Sequence, residues 1–344
     1  MRTLVVFRRL ALFGACLAFV VVVLGAWVRL SAAGLGCPDW PGCYGHLTVD
    51  AAARNLEAIS SAFPDRPFDY SKAIKEMVHR YFASTLGLTI LVLAGIAIAN
   101  RKDPEQPVVL PLALVALVIL QGLLGMWTVT LLLKPLIVVL HLLGGLSTMA
   151  LLAWLAYKPK TSSQRMATSR EVNRSQRLRN LTLVGLAALV LQISLGGWTS
   201  SNYAALACPD FPQCQNAWWP EMNYEDAFVL WRGLGIDYEG GVLDHPARVA
   251  IHFTHRLGAI VAALVLGWVS VAAFRHGTGA VRTGAALLGV LLIAQLIVGP
   301  LMVVRGLPLG LATAHNGVAA LLVIAVVRLL KACNAELSTR SALA

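Results

Sequence analysis

Four histidines of this chain stand in short stretches that recur. They are His79 in EMVHR (76–80), His255 in HFTHR (252–256), His141 in HLLGG (141–145) and His315 in HNGVAA (315–320). A neutral imidazole nitrogen is a metal ligand, and two imidazoles facing each other across a helical bundle suit axial ligation of a haem iron. Zinc would need further cysteine, histidine or carboxylate ligands for its tetrahedron, and the sequence offers none at the level of His141 or His315. One histidine in an apolar helix more often packs and hydrogen-bonds. Four at matched positions point instead to ligation, because ionisable groups in a membrane are costly and mark function.

An arginine follows two of these histidines, Arg80 and Arg256. Each can reach a haem propionate at the interface or snorkel to lipid headgroups, and the sequence leaves both open. Two cysteine pairs, Cys37/Cys43 and Cys208/Cys214, share a C-x5-C spacing. A structural zinc site favours closer pairs with more ligands, so on an oxidising membrane face these are expected as disulfides. Closing so short a loop contributes about 2–3 kcal/mol. The bonded loop can serve as a lid or as a redox pair.

The elements that position these residues are membrane spans. Of the 344 residues 58% are hydrophobic and 13% charged, about half the charged share usual in soluble proteins. YFASTLGLTILVLAGIAIA (81–99) carries no charge and is long enough to cross a bilayer core. Eight spans are expected, near 10–28, 77–99, 108–133, 135–157, 180–200, 250–274, 283–304 and 308–327. The first has too long an apolar core and no convincing cleavage site for a signal peptide, and is expected to be retained. With the N-terminus inside, the inner segments carry net +13 and the outer ones −2, within the +11 of the whole chain. Both termini are then cytoplasmic and the cysteine loops periplasmic. Seven of the inner cations fall in 158–179, a topology anchor beside anionic lipid. The basic charge therefore gives no reason to invoke nucleic acid.

The chain repeats itself about that anchor. GAWVRLSAAGLGCPDWPGC (25–43) matches GGWTSSNYAALACPDFPQC (196–214) at an offset of 171. Gln121/Gln295, Gly125/Gly299 and His141/His315 match at 174, and the two His-Arg pairs at 176. Each half has four spans, so both enter the membrane in the same sense. The expected fold is an all-α polytopic membrane protein, two tandem four-helix bundles related by a pseudo-twofold axis along the membrane normal. The expected divisions are an N-terminal half (1–157), a basic cytoplasmic linker (158–179) and a C-terminal half (180–344). All four histidines lie within about two helical turns of the outer surface. They give two haem-sized pockets near one face, His79 with His141 and His255 with His315. Small residues in HLLGGLSTMA and HNGVAALL let a flat macrocycle approach the backbone, and equally suit packing between membrane helices.

Two pockets at one face argue against electron transfer across the membrane, though not along its surface. A transporter with repeated halves would place its site near the midplane, where no intramembrane charge stands. The eight spans, VRLSAAGLGCPDWPGC, EMVHR, HLLGG, HFTHR and AHNGVAA together resemble the haem A synthase family over about residues 10–330, in its proteobacterial and mitochondrial branch. The resemblance implies a bacterial inner-membrane oxidoreductase that converts the C8 methyl of haem O to the formyl group of haem A for terminal oxidase assembly. It implies haem b as resident cofactor on His255 and His315, and haem O as substrate on His79 and His141. Haem O synthase, terminal oxidase assembly factors and an electron-transfer partner are the implied partners, besides membrane lipid. The other function in view is a di-haem b cytochrome passing electrons along the outer face.

The two His-Arg stretches differ at one place, Glu76 against His252. Glu76 and His79 are three residues apart and share a helix face. In the half implied to hold substrate, that carboxylate can take a proton and stabilise positive charge during methyl oxidation. The alternative to this catalytic reading is that Glu76 belongs with Lys72 and Lys75 as surface charge.

Overall fold

A lipid environment leaves no partner for backbone N–H and C=O groups except within the chain, which makes apolar runs helical. The computed structural model describes residues 2–159 and 168–341. Its helices are α1 (Arg2–Leu30), α2 (Val49–Ala53), α3 (Leu56–Ala62), α4 (Tyr70–Ala99), α5 (Val109–Thr130), α6 (Pro135–Ala156), α7 (Ser169–Ser201), α8 (Tyr224–Ala227), α9 (His245–His276), α10 (Gly279–Val304) and α11 (Leu309–Ser341). Among the described residues eight helices are long and apolar enough to cross a membrane: α1, α4 to α7 and α9 to α11. The only β-pairings there are two isolated bridges, Cys43–His46 and Cys214–Ala217.

Several helices outrun their apolar cores. α4 starts at Tyr70 because the Asp69 side chain accepts the Lys72 N–H at 3.1 Å, a cap that satisfies an otherwise orphaned donor. α7 starts at Ser169, inside the expected linker, where Thr168 and Glu171 form a reciprocal capping box. Residues 160–167 of that linker lie outside the described residues.

Each half closes a ring of four helices. α1 and α5 each contact α4 and α6, and α7 and α10 each contact α9 and α11. Between the halves α1 touches α11, α6 touches α7, and α6 touches α11. Exchanging the halves turns the first contact into the second and leaves the third unchanged, the pattern a twofold relation produces. Small residues make this seam close: at Gly317 an added Cβ would lie 3.7 Å from Val23 of α1. The core runs through both rings and includes Phe7, Leu93, Met149, Leu152, Leu266, Leu288 and Leu322. Large apolar side chains such as Leu88, Leu264, Trp268 and Val290 point outward, as a lipid-facing surface requires.

At the histidine end the second half also reaches over the first. The stretch 229–244 carries Asp237 and Glu239, which pair with Arg66 at 2.7 and 3.2 Å. Glu239 also pairs with Lys72 at 3.5 Å. The Tyr238 N–H donates to the Leu132 carbonyl at 3.1 Å, and its ring packs with Leu35, Val129 and Leu133. Buried Lys134 donates to the Gly233 carbonyl and faces the Trp231 ring at 3.3 Å. From the first half, Arg29 donates to the Ser200 carbonyl at 2.7 Å and stacks over Tyr203.

Candidate functional site

The four histidines come from four helices, His79 from α4, His141 from α6, His255 from α9 and His315 from α11. His79 and His141 stand within electrostatic reach of each other, as do His255 and His315. The fold therefore brings the two histidines of each half toward each other. Nδ1 of His79, of His141 and of His315 is buried and makes no well-formed hydrogen bond. The backbone of Val21 and of Gln121 stands beside the first two. Buried nitrogens without partners cost free energy unless something else takes up their lone pairs or protons.

Each imidazole lies on a glycine of a neighbouring helix. An added Cβ would stand 3.0 Å from His79 Cε1 at Gly25, 3.5 Å from His141 Cε1 at Gly125, 3.1 Å from His255 Cε1 at Gly196 and 3.2 Å from His315 Cε1 at Gly299. At Gly25, Gly196 and Gly299 a side chain would crowd the ring, so these glycines set where His79, His255 and His315 sit, while at Gly125 the contact is an ordinary one. Half-buried Gln192 and Gln295 and buried Gln121 complete the sites. Gln192 Nε2 is 3.0 Å from His255 Nδ1, and Gln295 Nε2 is 3.2 Å from His315 Nε2. Gln121, the repeat partner of Gln295, is buried with Nε2 unpartnered. Imidazole pairs with unspent nitrogens, packed against glycine, are side chains that would hold a haem iron. Among the described residues no three or more His, Cys, Asp or Glu converge as a bare-ion site would need.

The cysteine loops carry the bonds expected of them, Cys37–Cys43 and Cys208–Cys214, while Cys16 and Cys333 are free. Each loop is tied to the helix that bears the His-Arg pair. In the first half the Cys37 N–H donates to Glu76 Oε2 at 2.9 Å, and Arg80 pairs with Glu76 Oε1. In the second the Cys208 N–H donates to His252 Nδ1 at 3.2 Å, and Arg256 Nε stands 3.3 Å from His252 Nε2. Position 76/252 thus anchors a loop in both halves. The difference is chemical. A carboxylate accepts both donors and balances the arginine, whereas a neutral imidazole has one lone pair. Glu76 is 5% exposed, so it is not surface charge. Lys72 pairs elsewhere, and Lys75 lies over the Trp27 ring.

Arg80 and Arg256 also hold the loops. Arg80 donates to the carbonyls of Asp39, Pro41 and Gly42. Arg256 donates to those of Cys208 (2.7 Å), Asp210 (2.8 Å) and Gln213 (2.8 Å). Inside each loop an aspartate accepts two backbone N–H groups: Asp39 from Tyr44 and Gly45, Asp210 from Gln215 and Asn216. Burial works against the charge of Asp210, but the N–H groups of Asn216 and Gln215 outweigh it and hold its carboxyl below the usual range.

Sequence reasoning did not assign roles to the four glycines, to Gln192, or to the 229–244 stretch. Gly25/Gly196 and Gly125/Gly299 were visible as repeat matches, and that was their signal. Gln192 has Val21 at the matching place in the first half, so the repeat could not reveal it.

Comparison with known proteins agrees with this geometry. The family model described as COX15-CtaA, cytochrome oxidase assembly protein, matches residues 8–327. A haem A synthase of Shewanella oneidensis is 46% identical over 308 residues, covering 89% of this chain and 90% of its own length. Haem A synthases of Beijerinckia indica and Novosphingobium aromaticivorans are each 29% identical, over 89% of this chain and 87% and 88% of their own lengths. With eight spans, two imidazole pairs and a match over nearly its whole length, the chain belongs to the COX15-CtaA family of cytochrome oxidase assembly proteins.

Proposed function

We propose that the chain is a haem A synthase, an integral membrane oxidoreductase that converts the C8 methyl of haem O to the formyl group of haem A. The observation that carries this is the 46% identity to a haem A synthase over nine-tenths of both chains. The two glycine-backed histidine pairs supply a place for each of two haems. Haem b is the resident group, on His255 and His315, and brings redox-active iron to the second half. Haem O is the substrate, on His79 and His141.

The residues of the chain then have these tasks. The histidine pairs would hold the two haems, and the glycines position the histidines. Glu76, three residues from His79 on the same helix, puts a carboxylate where the second half has His252. It serves as proton acceptor and as a negative charge that stabilises positive charge developing on the substrate ring. Arg80 pairs with Glu76 and holds it in place. Arg80 and Arg256 each have five N–H donors, enough to bind a loop and still meet a propionate. The bonded cysteine loops lie over the sites as lids, and the 229–244 stretch helps exclude water from the substrate half.

The excess of positive charge in the inner segments supports cytoplasmic termini and periplasmic cysteine loops in a bacterial inner membrane. The symmetric contacts at the seam support a pseudo-twofold axis along the membrane normal, with halves at 1–157 and 180–344. Haem O synthase is the expected source of substrate. Terminal oxidase assembly factors are expected to receive the product, and an electron-transfer partner to complete the oxidation. The test is to extract and chromatograph the haems of the purified protein. Haem b together with haem O, its C8 alcohol or haem A is the expected result. Haem b alone, at two per chain, would identify a surface di-haem cytochrome instead.

A further inference from the structure

At the end of the bundle opposite the histidines lies a cavity of about 330 Å³, within the size range of small-ligand sites. It opens where α1, the α4–α5 loop, the end of α6 and α11 meet, across the seam between the halves. Three cations line it: Arg8 from α1, Lys158 after α6, and Lys331 from α11. Arg8 and Lys331 are close enough to repel each other, and Glu105 is the one carboxylate in the lining. Among the described residues Arg8 and Lys158 have no hydrogen-bond or ion-pair partner. Lys331 donates to the Trp154 carbonyl and lies over that indole. Like charges gathered around an open space, with too few carboxylates to balance them, make a site for an anion.

A second observation narrows the anion. Gln106 also lines the cavity, is 7% exposed, and its Oε1 has no partner. Its Nε2 is already spent on the Pro107 carbonyl at 3.2 Å. Buried amide oxygens are rarely left unpaired, and an acceptor cannot be satisfied by a phosphate, which also only accepts. The ligand therefore carries an anion for Arg8 and Lys331, and a hydroxyl donor beside that anion would satisfy Gln106. The place, the basic end of a membrane bundle between helices, is where anionic headgroups bind.

We infer that this cavity holds the headgroup of an anionic glycerophospholipid whose phosphodiester bears a glycerol hydroxyl, as in phosphatidylglycerol or cardiolipin. The phosphodiester meets Arg8, Lys331 and Lys158; the hydroxyl meets Gln106 Oε1. Because the lining comes from both halves, the bound lipid joins them at the end where the histidine sites do not.

The test uses the full-length, haem-loaded protein, delipidated and titrated with single short-chain lipids while binding is read by native mass spectrometry. Phosphatidylglycerol is expected to bind more tightly than phosphatidylcholine. It should also bind more tightly than phosphatidylmethanol, an anionic phosphodiester with no hydroxyl. Arg8→Gln and Lys331→Gln should each weaken phosphatidylglycerol about fivefold, at roughly 1 kcal/mol per cation. Gln106→Leu should abolish the preference over phosphatidylmethanol while keeping the preference over phosphatidylcholine. Among the described residues Arg8 makes no hydrogen bond or ion pair, so its variant is decisive even if Lys331→Gln does not fold. The inference is overturned if wild type binds the three lipids equally or Arg8→Gln binds as wild type does. It is also overturned if soluble glycerophosphoglycerol binds as tightly as the lipid, since the site would then serve a free anion.

Discussion

The contact between Gly196 and His255 puts a number on how closely the second-half site is built. A β-carbon at position 196 would lie 3.1 Å from His255 Cε1, against about 3.5–4.0 Å for carbon atoms at ease. In Gly196→Ala the ring must move by about half an ångström, or α7 must. Overfilling of this kind costs about 1–3 kcal/mol. If that cost falls on the ligand geometry, at 1.4 kcal/mol per factor of ten it weakens haem binding in this half about 5- to 150-fold. Gly122→Ala in α5 is the control, because a Cβ there meets nothing within 4 Å. That variant should bind haem normally and gain about 0.5–1 kcal/mol from the helix propensity of alanine. The assay is titration of haem-depleted protein with haem b, followed by absorbance. Unaltered affinity in Gly196→Ala, or an equal loss in Gly122→Ala, would refute the idea that these glycines position the ligands.

Two further outcomes follow from the same geometry. His255→Ala or His315→Ala should remove resident haem b, whereas His79→Ala or His141→Ala should leave it and abolish haem A formation; one shared spectrum and haem content for all four would contradict separate sites. Glu76→Gln keeps an acceptor for the Cys37 N–H but loses the charge opposite Arg80, so turnover should fall by about 10²–10⁴ while haem b stays bound. Haem A formation near the wild-type rate in that variant would reduce Glu76 to a loop anchor.

What the sequence made legible was periodic or repeated. Apolar runs located every span, and the 171-to-176 offsets paired the histidines without any knowledge of the fold. Helix ends were harder, because hydropathy follows lipid and not hydrogen bonds: the polar first turns of α4 and the basic start of α7 read as loop. Thr168 and Glu171, three apart, were a capping signal in plain sight. Glu76 could be seen as an asymmetry, but its bond to Cys37 spans 39 positions, a relation that only folding supplies. The 229–244 stretch was unreadable for the same reason, since Trp231, Gly233, Asp237, Tyr238 and Glu239 meet partners in the other half and its own residues form no regular pattern.

That stretch has a consequence for the history of the chain. A duplicated gene can usually lose, exchange or redesign one copy while the other carries on. Here the ammonium of Lys134 depends on a carbonyl and an indole that only the second copy provides, and Arg66 answers to two carboxylates from the same place. Once that bridge had formed, the copies ceased to be interchangeable parts. A chimera joining the first half of this chain to the second half of a relative must carry the matching bridge or strand a buried cation. Divergence between the halves can therefore run freely along the lipid-facing helices, and is held back at their shared roof.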